Sequence, residues 1–278
     1  MSISRHPVWS DFVRSFNKIA AHRHRYEVFR DFVTMAAISM HNVIRKDSAL
    51  EAEYLQIVGR YEAHQVIELS GLFGKLVLLL DTEPQDVLGQ LYMTLELGNT
   101  QAGQFFTPPE ISELMARVSY GDELQQLTKP FITLSEPACG AGGMVLAFVK
   151  VMLSHGHDPA KCLWVQCQDV DRTAALMCYL QLSLWNVPAV VIVGNTLAFE
   201  VREAFYTPAH ALGFWDLRLR NHRRQQMKES DTVTADDVEV REDKAQARTA
   251  SDLVTITKPV SMTGVPSIEG LQQFDFGF

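Results

Sequence analysis

The sequence contains few cysteines and no long hydrophobic run. Its four cysteines never form a C-x-x-C pair, so their spacing predicts no metal site, and we expect reduced, mostly buried thiols in a cytoplasmic protein. The most apolar stretch, residues 69–80, contains Lys75 and is shorter than the roughly 18 residues that a membrane span needs. No apolar segment with a small-residue cleavage site occurs at the start of the chain, so neither membrane insertion nor export is expected.

Positive charge is also scarce. The net charge is −8 over 278 residues, which argues against indiscriminate DNA binding, because phosphate contacts dominate nucleic-acid affinity. Bases are concentrated in residues 1–30 and in residues 217–228, and the second segment has no acid. Either segment could meet a phosphate backbone or form an ordinary solvated helix face. The candidate DNA contacts of the second segment are Arg218, Arg220, Arg223 and Arg224.

The first hundred residues have a helical pattern and no catalytic spacing. Apolar residues recur every three or four positions and predict helices over residues 24–42, 49–69 and 85–97. A further helix is expected over residues 109–118. Thr107 is its expected N-cap, and Glu110, three residues later, completes a capping box.

From residue 131 onward, strands and helices alternate. We expect strands over 131–135, 162–168 and 189–193, with helices over 143–154 and 171–185 between them. Parallel strands of such a β-α-β-α-β unit place ligands at their carboxyl ends. Three polar residues stand at or just beyond those ends, namely Glu136, Asp169 and Asn195.

Beyond Asn195 the pattern weakens. A short helix is expected over residues 199–205, and from residue 228 the chain is polar and acidic. Such a composition cannot bury a core, so we expect a disordered or loosely attached tail.

A glycine-rich turn follows the first predicted strand and has the sequence Glu136-Pro137-Ala138-Cys139-Gly140-Ala141-Gly142-Gly143. A strand, a glycine turn and a helix together present backbone N–H groups to a ligand at the helix N-terminus. The acidic residue that opens the turn repels phosphate but suits a cationic ligand. Taken alone, the turn fits ligand binding and simple strand-to-helix packing about equally well.

Three more motifs occur in order with this turn. Gly103-Gln104-Phe105-Phe106-Thr107-Pro108-Pro109-Glu110 precedes it, and Gln168-Asp169-Val170-Asp171 and Val193-Gly194-Asn195-Thr196-Leu197 follow. In this order they resemble the cofactor-binding motifs of N6-adenine DNA methyltransferases, above all the methylation subunits of type I restriction-modification systems. The resemblance covers roughly residues 85–200.

The resemblance implies a truncated Rossmann-like α/β methyltransferase domain that binds S-adenosylmethionine and acts on DNA. We expect a helical N-terminal region over residues 1–100, the methyltransferase-like domain over 101–227, and a polar tail over 228–278.

The resemblance also implies roles for individual residues around the methionine half of the cofactor. Glu136 would face the cationic groups. The backbone of the turn would hold the carboxylate through Ala138, Cys139 and Gly140. Phe106 and Thr107 would close over that end.

The nucleoside half would meet the next two strands. Asp169 would accept hydrogen bonds from the ribose hydroxyls, and we prefer Asp171 as a helix N-cap. Asn195 stands where the family usually has an aspartate that contacts the adenine amino group, and asparagine can accept through its carbonyl oxygen. Each residue also has a plain structural alternative as a cap or turn residue.

One feature of the family is missing. Its adenine methylases carry an Asn- or Asp-Pro-Pro-Tyr/Phe motif after the fourth strand, which binds and stacks the flipped base, and no such tetrapeptide occurs in this sequence. Tyr206-Thr207-Pro208 is the nearest segment. Two functions therefore remain open. One is an adenine-specific DNA methyltransferase, divergent or completed by a partner chain. The other is a non-catalytic protein that kept the cofactor pocket, such as an accessory or anti-restriction factor of a mobile element.

The last residues return to aromatic side chains. The candidate anchors are Gln273, Phe274, Phe276 and Phe278. They resemble the short peptides by which bacterial proteins dock on the sliding clamp, and alternate apolar anchors suit an extended peptide in a groove. The alternative is that this peptide packs on the protein's own domain.

Overall fold

A computed structural model describes residues 3–95, 97 and 107–226. The predictions for Phe106, for the polar tail from residue 228 and for the aromatic peptide at 273–278 lie outside these residues. Residues 1–223 form one compact unit, and residues 224–278 are assigned to a second. The boundary expected near residue 100 therefore falls within the first unit.

The described part of residues 3–125 is helical. It contains two short 3₁₀ turns and the helices α1 (Pro7–Ile19), α2 (Arg25–Ile44), α3 (Ser48–Val58), α4 (Ala63–Leu80), α5 (Val87–Thr94) and α6 (Pro109–Gln125). The helices predicted over 24–42 and 85–97 are confirmed as α2 and α5.

The single helix predicted over residues 49–69 is wrong. Two helices, α3 and α4, replace it, because the chain turns at residues 59–62. Gly59 ends α3, where its N–H donates to the carbonyl of Leu55 at 3.0 Å. A new helix start follows at Glu62, whose N–H donates to the Gln65 side-chain oxygen at 3.1 Å. Apolar periodicity continues across both helices and so hides the break.

Helix α4 is, within the described residues, the one helix long and apolar enough to cross a membrane. Its buried residues are leucines that belong to the hydrophobic core: Leu69, Leu72, Leu76, Leu79 and Leu80. The helix packs against α1, and its charged residue Lys75 pairs with Asp11 at 2.9 Å. A leucine stripe inside a shared core is the pattern of a globular core helix, so length and composition are weak evidence for a span.

The start of α6 also differs from expectation. Thr107 was predicted as its N-cap, but the N-cap is Pro108, and no side chain caps the helix. Pro108 is extended, with φ −54° and ψ 140°, because a residue that precedes a proline is pushed out of the helical region. Because of Pro109, the N-cap lies one residue later than predicted. Thr107 lies before the N-cap and is exposed.

The remaining described chain forms a four-stranded sheet with strands β1 (Ile132–Glu136), β2 (Leu163–Asp169), β3 (Ala189–Val193) and β4 (Glu203–Tyr206). The connecting helices are α7 (Gly143–Ser154), α8 (Pro159–Cys162), α9 (Arg172–Leu184) and α10 (Pro208–Leu212), and residues 215–226 are also helical. The strand order is β1-β2-β3-β4, with the first three parallel. The predicted β-α-β-α-β unit is thereby confirmed.

The short helix predicted over residues 199–205 is wrong, because residues 199–202 form no helix and residues 203–205 belong to β4. This strand runs antiparallel to β3, with Val193 opposite Glu203 and Val190 opposite Tyr206. Its pairing with a buried strand overrides the weak local helical pattern.

The helical part and the sheet share one hydrophobic core. Helix α9 packs on β2 and β3, α2 packs on α9, and α6 packs on α7.

Gln181 of α9 connects these layers at the glycine turn after β1. Its side chain is fully buried. The carboxamide oxygen accepts from the N–H groups of Val87 and Leu88 at 2.8 and 3.1 Å, at the start of α5. The amide nitrogen donates to Asp86 Oδ1 at 2.9 Å and to the carbonyl of Ala141, inside the turn, at 2.7 Å. One carboxamide thus fixes α5 and the turn to the same helix.

The Asp86 carboxyl in this network predicts a pH-dependent stability. Burial raises its pKa, opposed by the hydrogen bonds from Gln181 and Gly89. A carboxyl with a raised pKa in the folded chain favours folding at acid pH, and this contribution is lost as the pH rises through that pKa. Asp86→Asn keeps an oxygen for the Gln181 and Gly89 N–H groups and cannot ionise. Urea unfolding should therefore show the variant gaining stability relative to wild type as the pH increases above about 4.

The matched control for this experiment is Asp81→Asn, which changes an exposed carboxyl. It reports the effect of removing a carboxyl that is not buried, over the same pH range. A stability difference from wild type that stays constant with pH for Asp86→Asn would show that burial of this carboxyl does not oppose its ionisation.

Candidate cofactor site at the carboxyl ends of the strands

The structure brings the three predicted polar residues to one end of the sheet. Glu136 and Asp169 are the last residues of the parallel strands β1 and β2, and Asn195 follows the end of β3 by two residues. The register places Glu136 beside Cys167, and Asp169 beside Val193. We call this group of strand ends, residues 136–143, 169–171 and 194–199, the rim.

Asp169 holds the glycine turn in place. Its Oδ2 accepts from the Gly140 N–H at 2.8 Å, and its Oδ1 accepts from the Asp171 N–H at 2.9 Å. Burial raises the pKa of Asp169 in spite of these bonds. A carboxylate offers about four acceptor sites, so this side chain can order the turn and still accept hydrogen bonds from a ligand. Asp171 caps α9 as predicted, with its Oδ1 accepting from Thr173 N–H at 2.7 Å.

The turn requires glycine at two positions. Gly140 has a φ of 52° and Gly142, the N-cap of α7, has a φ of 92°. Both values lie in the left-handed region that side chains with a Cβ resist. A Cβ on Gly142 would also approach Cys178 Sγ to 3.0 Å. Cys139, which directly precedes Gly140, is buried, and its N–H donates to the carbonyl of Gln168 at 2.9 Å.

Glu136 carries a half-buried carboxyl beside the turn. Its Oε1 accepts from the Ala138 N–H at 3.3 Å. Burial raises the pKa of Glu136, and the nearby Cys167 and Asp169 raise it further. A partly desolvated acid in a negative surrounding favours a cation beside it.

Asn195 has a geometry that the sequence did not predict. Its Oδ1 accepts from the N–H groups of Leu197 and Ala198 at 3.0 and 3.3 Å, which is an Asx turn. The oxygen expected to accept from an adenine amino group is therefore engaged within the protein. The side-chain NH₂ remains as the group that Asn195 can offer to a ligand.

Four rim residues were missed by reasoning from the sequence. Thr196 donates from Oγ1 to the carbonyl of Pro137 at 2.6 Å, which joins the loop after β3 to the glycine turn. Val170, Leu197 and Phe199 expose apolar side chains, with Leu197 94% exposed. Exposed apolar side chains next to polar strand ends suit a flat aromatic ligand group. The sequence signal that could have identified these residues is their position one to four places after the predicted strand-end residues Asp169 and Asn195.

A cavity of about 280 Å³ lies between the segment before α6 and the start of α7, and its lining does not include Glu136, Asp169 or Asn195. Its lining includes Thr107, Pro109, Asp86 and Gly143. The structure thus places Thr107 on the same cavity as the first residue of α7. A larger cavity of about 400 Å³, bordered by the end of α6 and by Ile132, contains none of the predicted cofactor residues, so size does not identify the site here.

The four candidate DNA-binding arginines do not form one group. The Arg218 guanidinium lies 3.7 Å from the centre of the Trp215 ring and donates to the carbonyl of Lys161 at 2.6 Å. Burial lowers its pKa. Arg220 and Arg223 are exposed on the helix formed by residues 215–226, and Arg224 is an exposed residue of the second unit. Arg218 therefore has a packing role, which separates it from the other three.

Tyr206-Thr207-Pro208 lies at the wrong end of the sheet for catalysis. Because β4 is antiparallel, this segment follows the end of β4 that pairs with Val190, away from the rim. Thr207 is fully buried, and its Oγ1 accepts from Ala189 N–H at 2.9 Å and donates to the Val187 carbonyl at 2.8 Å. The segment is a structural connection.

Comparisons with known proteins support the family that the sequence motifs indicate. The family model of N-6 DNA methylases matches residues 84–240. The type I restriction enzyme MpnII methylase subunit of Mycoplasma pneumoniae is 26% identical over 129 residues, which are 44% of this chain and 22% of that subunit. This chain thus spans about a fifth of the length of that relative.

Among solved structures, a putative class I S-adenosylmethionine-dependent methyltransferase from Listeria monocytogenes matches with a TM-score of 0.39 and 15% identity. The match covers 70% of this chain and 56% of that one. This chain therefore spans about half of its length.

The matched residues 84–240 are more than half of the chain and contain all four motifs. The predicted cofactor, S-adenosylmethionine, is confirmed at the level of the family. The chain belongs to the N-6 DNA methylase family.

Proposed function

We propose that this chain binds S-adenosylmethionine at the rim and takes part in adenine-N6 methylation of DNA. The observation that carries the proposal is the 2.8 Å bond between the Gly140 N–H and Asp169, next to the half-buried Glu136 on the neighbouring strand. Together they place two acidic groups and a glycine turn at the carboxyl ends of parallel strands, where ligands of such sheets bind.

Each part of the cofactor has a matching group at the rim. Glu136 would attract the sulfonium and the α-amino group, and the N-terminus of α7 would favour the carboxylate. Asp169 would accept from the ribose hydroxyls. The exposed Val170, Leu197 and Phe199 would contact the adenine ring. The Asn195 NH₂ would donate to a ring nitrogen, in place of the acceptor role expected from the sequence.

Methyl transfer requires a further group that accepts hydrogen bonds from the target amine. The sequence contains no acceptor-Pro-Pro-aromatic tetrapeptide, and Tyr206-Thr207-Pro208 follows the far end of β4. We therefore propose that a partner chain supplies this motif. A matching relative is a methylase subunit of a type I restriction enzyme, which is consistent with action in an assembly.

A second candidate function is a non-catalytic one. The chain would bind the cofactor without transferring its methyl group and act as an accessory or anti-restriction factor of a mobile element. The absence of the acceptor-Pro-Pro-aromatic motif favours this second function as well. Methyl transfer from tritiated S-adenosylmethionine to mixed genomic DNA separates the two functions, when measured with the chain alone and with its co-purifying partners. Methyl transfer that occurs only in the sample with co-purifying partners supports an enzyme completed by a partner chain. The absence of transfer in both samples supports the accessory role.

Binding of the cofactor is tested by calorimetric titration of the wild type and of Asp169→Ala. We expect the substitution to weaken binding by about 1–3 kcal/mol, because charged hydrogen bonds to the ribose are lost. Asp158→Ala, which changes a half-exposed carboxylate just before β2, should bind as the wild type does. The absence of wild-type binding at millimolar cofactor would contradict the proposal.

DNA binding is expected to use the exposed arginines of residues 215–226. Replacing Arg220, Arg223 and Arg224 together by Gln should weaken binding evenly across DNA sequences and flatten its dependence on salt. Arg218→Gln should leave the salt dependence unchanged and lower stability by about 0.5–2 kcal/mol, since a partly buried cation–π contact is lost. A salt slope that is unchanged in the triple variant would rule out these arginines as DNA contacts.

A further inference from the structure

Three of the four cysteines meet behind the glycine turn. Cys139 belongs to the turn, Cys167 to β2 and Cys178 to α9, and their sulfur atoms all lie within 4.8 Å of one another. All three side chains are buried, and the two on β2 and α9 are completely so. Spacing along the chain does not predict this group, because its members come from three separate elements.

We propose that Cys139, Cys167 and Cys178 form a three-coordinate site for a soft metal ion, and that Cu(I) is the ion that fits it. Three sulfurs around one ion stand roughly 4 Å apart at a metal–sulfur distance of about 2.3 Å. The present separations of at most 4.8 Å therefore need only a small contraction. Each thiol that coordinates the ion releases its proton to solvent.

The number and type of ligands select the ion. The group contains sulfur ligands alone, and soft thiolates bind Cu(I), Zn²⁺ and iron–sulfur clusters. Structural zinc sites and the common iron–sulfur clusters use four protein ligands. The fourth cysteine, Cys162, lies outside the group at the end of α8, so three ligands remain, and Cu(I) accepts three.

The start of helix α7 partly offsets the negative charge of coordinated thiolates. A Cβ on Gly142, the N-cap of α7, would come within 3.0 Å of Cys178 Sγ, so the sulfur lies directly against the start of this helix. The partial positive charge of a helix N-terminus stabilises thiolates. Helix α7 has 12 residues, long enough for this effect.

The site would join the cofactor turn to the strand and the helix behind it. Cys139 stands between Ala138 and Gly140, whose N–H groups bond to Glu136 and Asp169. An ion that binds Cys139 would hold the turn from its buried side. Metal binding can be measured without S-adenosylmethionine. A failure to bind Cu(I) would therefore overturn this proposal and leave the proposed function untouched.

The test is an anaerobic titration of the full chain with Cu(I) in competition with a chromophoric chelator. We expect one Cu(I) per chain for the wild type and for Cys162→Ser, the matched control. In samples that are still folded, Cys167→Ser and Cys178→Ser should each weaken binding at least tenfold. Failure of the wild type to compete, or equal binding by Cys178→Ser, would overturn the proposal.

A second measurement does not depend on the folding of any variant. X-ray absorption of the wild type loaded with Cu(I) should show three sulfur neighbours at about 2.3 Å. Two sulfur neighbours, or a mixed shell containing nitrogen or oxygen, would contradict the three-cysteine site.

Discussion

The buried carboxamide of Gln181 is the interaction on which the arrangement of the site depends. It satisfies two N–H groups at the start of α5, the Asp86 carboxyl and the carbonyl of Ala141 in the glycine turn. A buried polar group without a partner costs about 1–3 kcal/mol. Asp86 also accepts from the Gly89 N–H, and the Val87 N–H also donates to the Gln85 carbonyl, so loss of the carboxamide would oppose folding mainly through the Leu88 N–H and the Ala141 carbonyl. The helical part of the chain is therefore connected to the turn directly, through a residue far from both in sequence.

The position of the glycine turn then fixes the geometry of the rim. Gly140 must take a positive φ so that its N–H reaches Asp169, and Thr196 connects the loop after β3 to Pro137 from the other side. The acidic groups at the ends of β1 and β2 keep raised pKa values because burial disfavours their ionised forms. A cationic cofactor beside them would relieve that cost, which supports the proposal that the rim binds S-adenosylmethionine rather than a phosphate.

The parallel unit and its strand-end residues could be predicted from the sequence, because alternating apolar runs and a glycine turn are local signals. Helix α7 matches its predicted bounds, and Asp171 caps α9 as expected. Features that depend on distant partners could not be predicted. Strand β4 forms only by pairing with β3, and Arg218 is held by Trp215 and by Lys161. The cysteine group likewise has no spacing signal.

The break between α3 and α4 was hidden for a different reason. The apolar pattern continues through residues 59–62. The hydrogen bond that the Gln65 side chain accepts from the Glu62 N–H marks the new helix start but carries little weight in a sequence pattern. The Asx turn of Asn195 is also invisible to periodicity, since the same residue type serves as an acceptor for the backbone or for a ligand.

The most direct test of this account compares cofactor binding and unfolding in Gln181→Leu, which keeps the volume and removes the carboxamide. The control is Gln126→Leu at an exposed position. We expect the free energy of unfolding to fall by at least about 3 kcal/mol. Under conditions where the variant is still folded, S-adenosylmethionine should bind about tenfold or more weakly. Wild-type affinity in folded Gln181→Leu would contradict the claim that this carboxamide positions the turn.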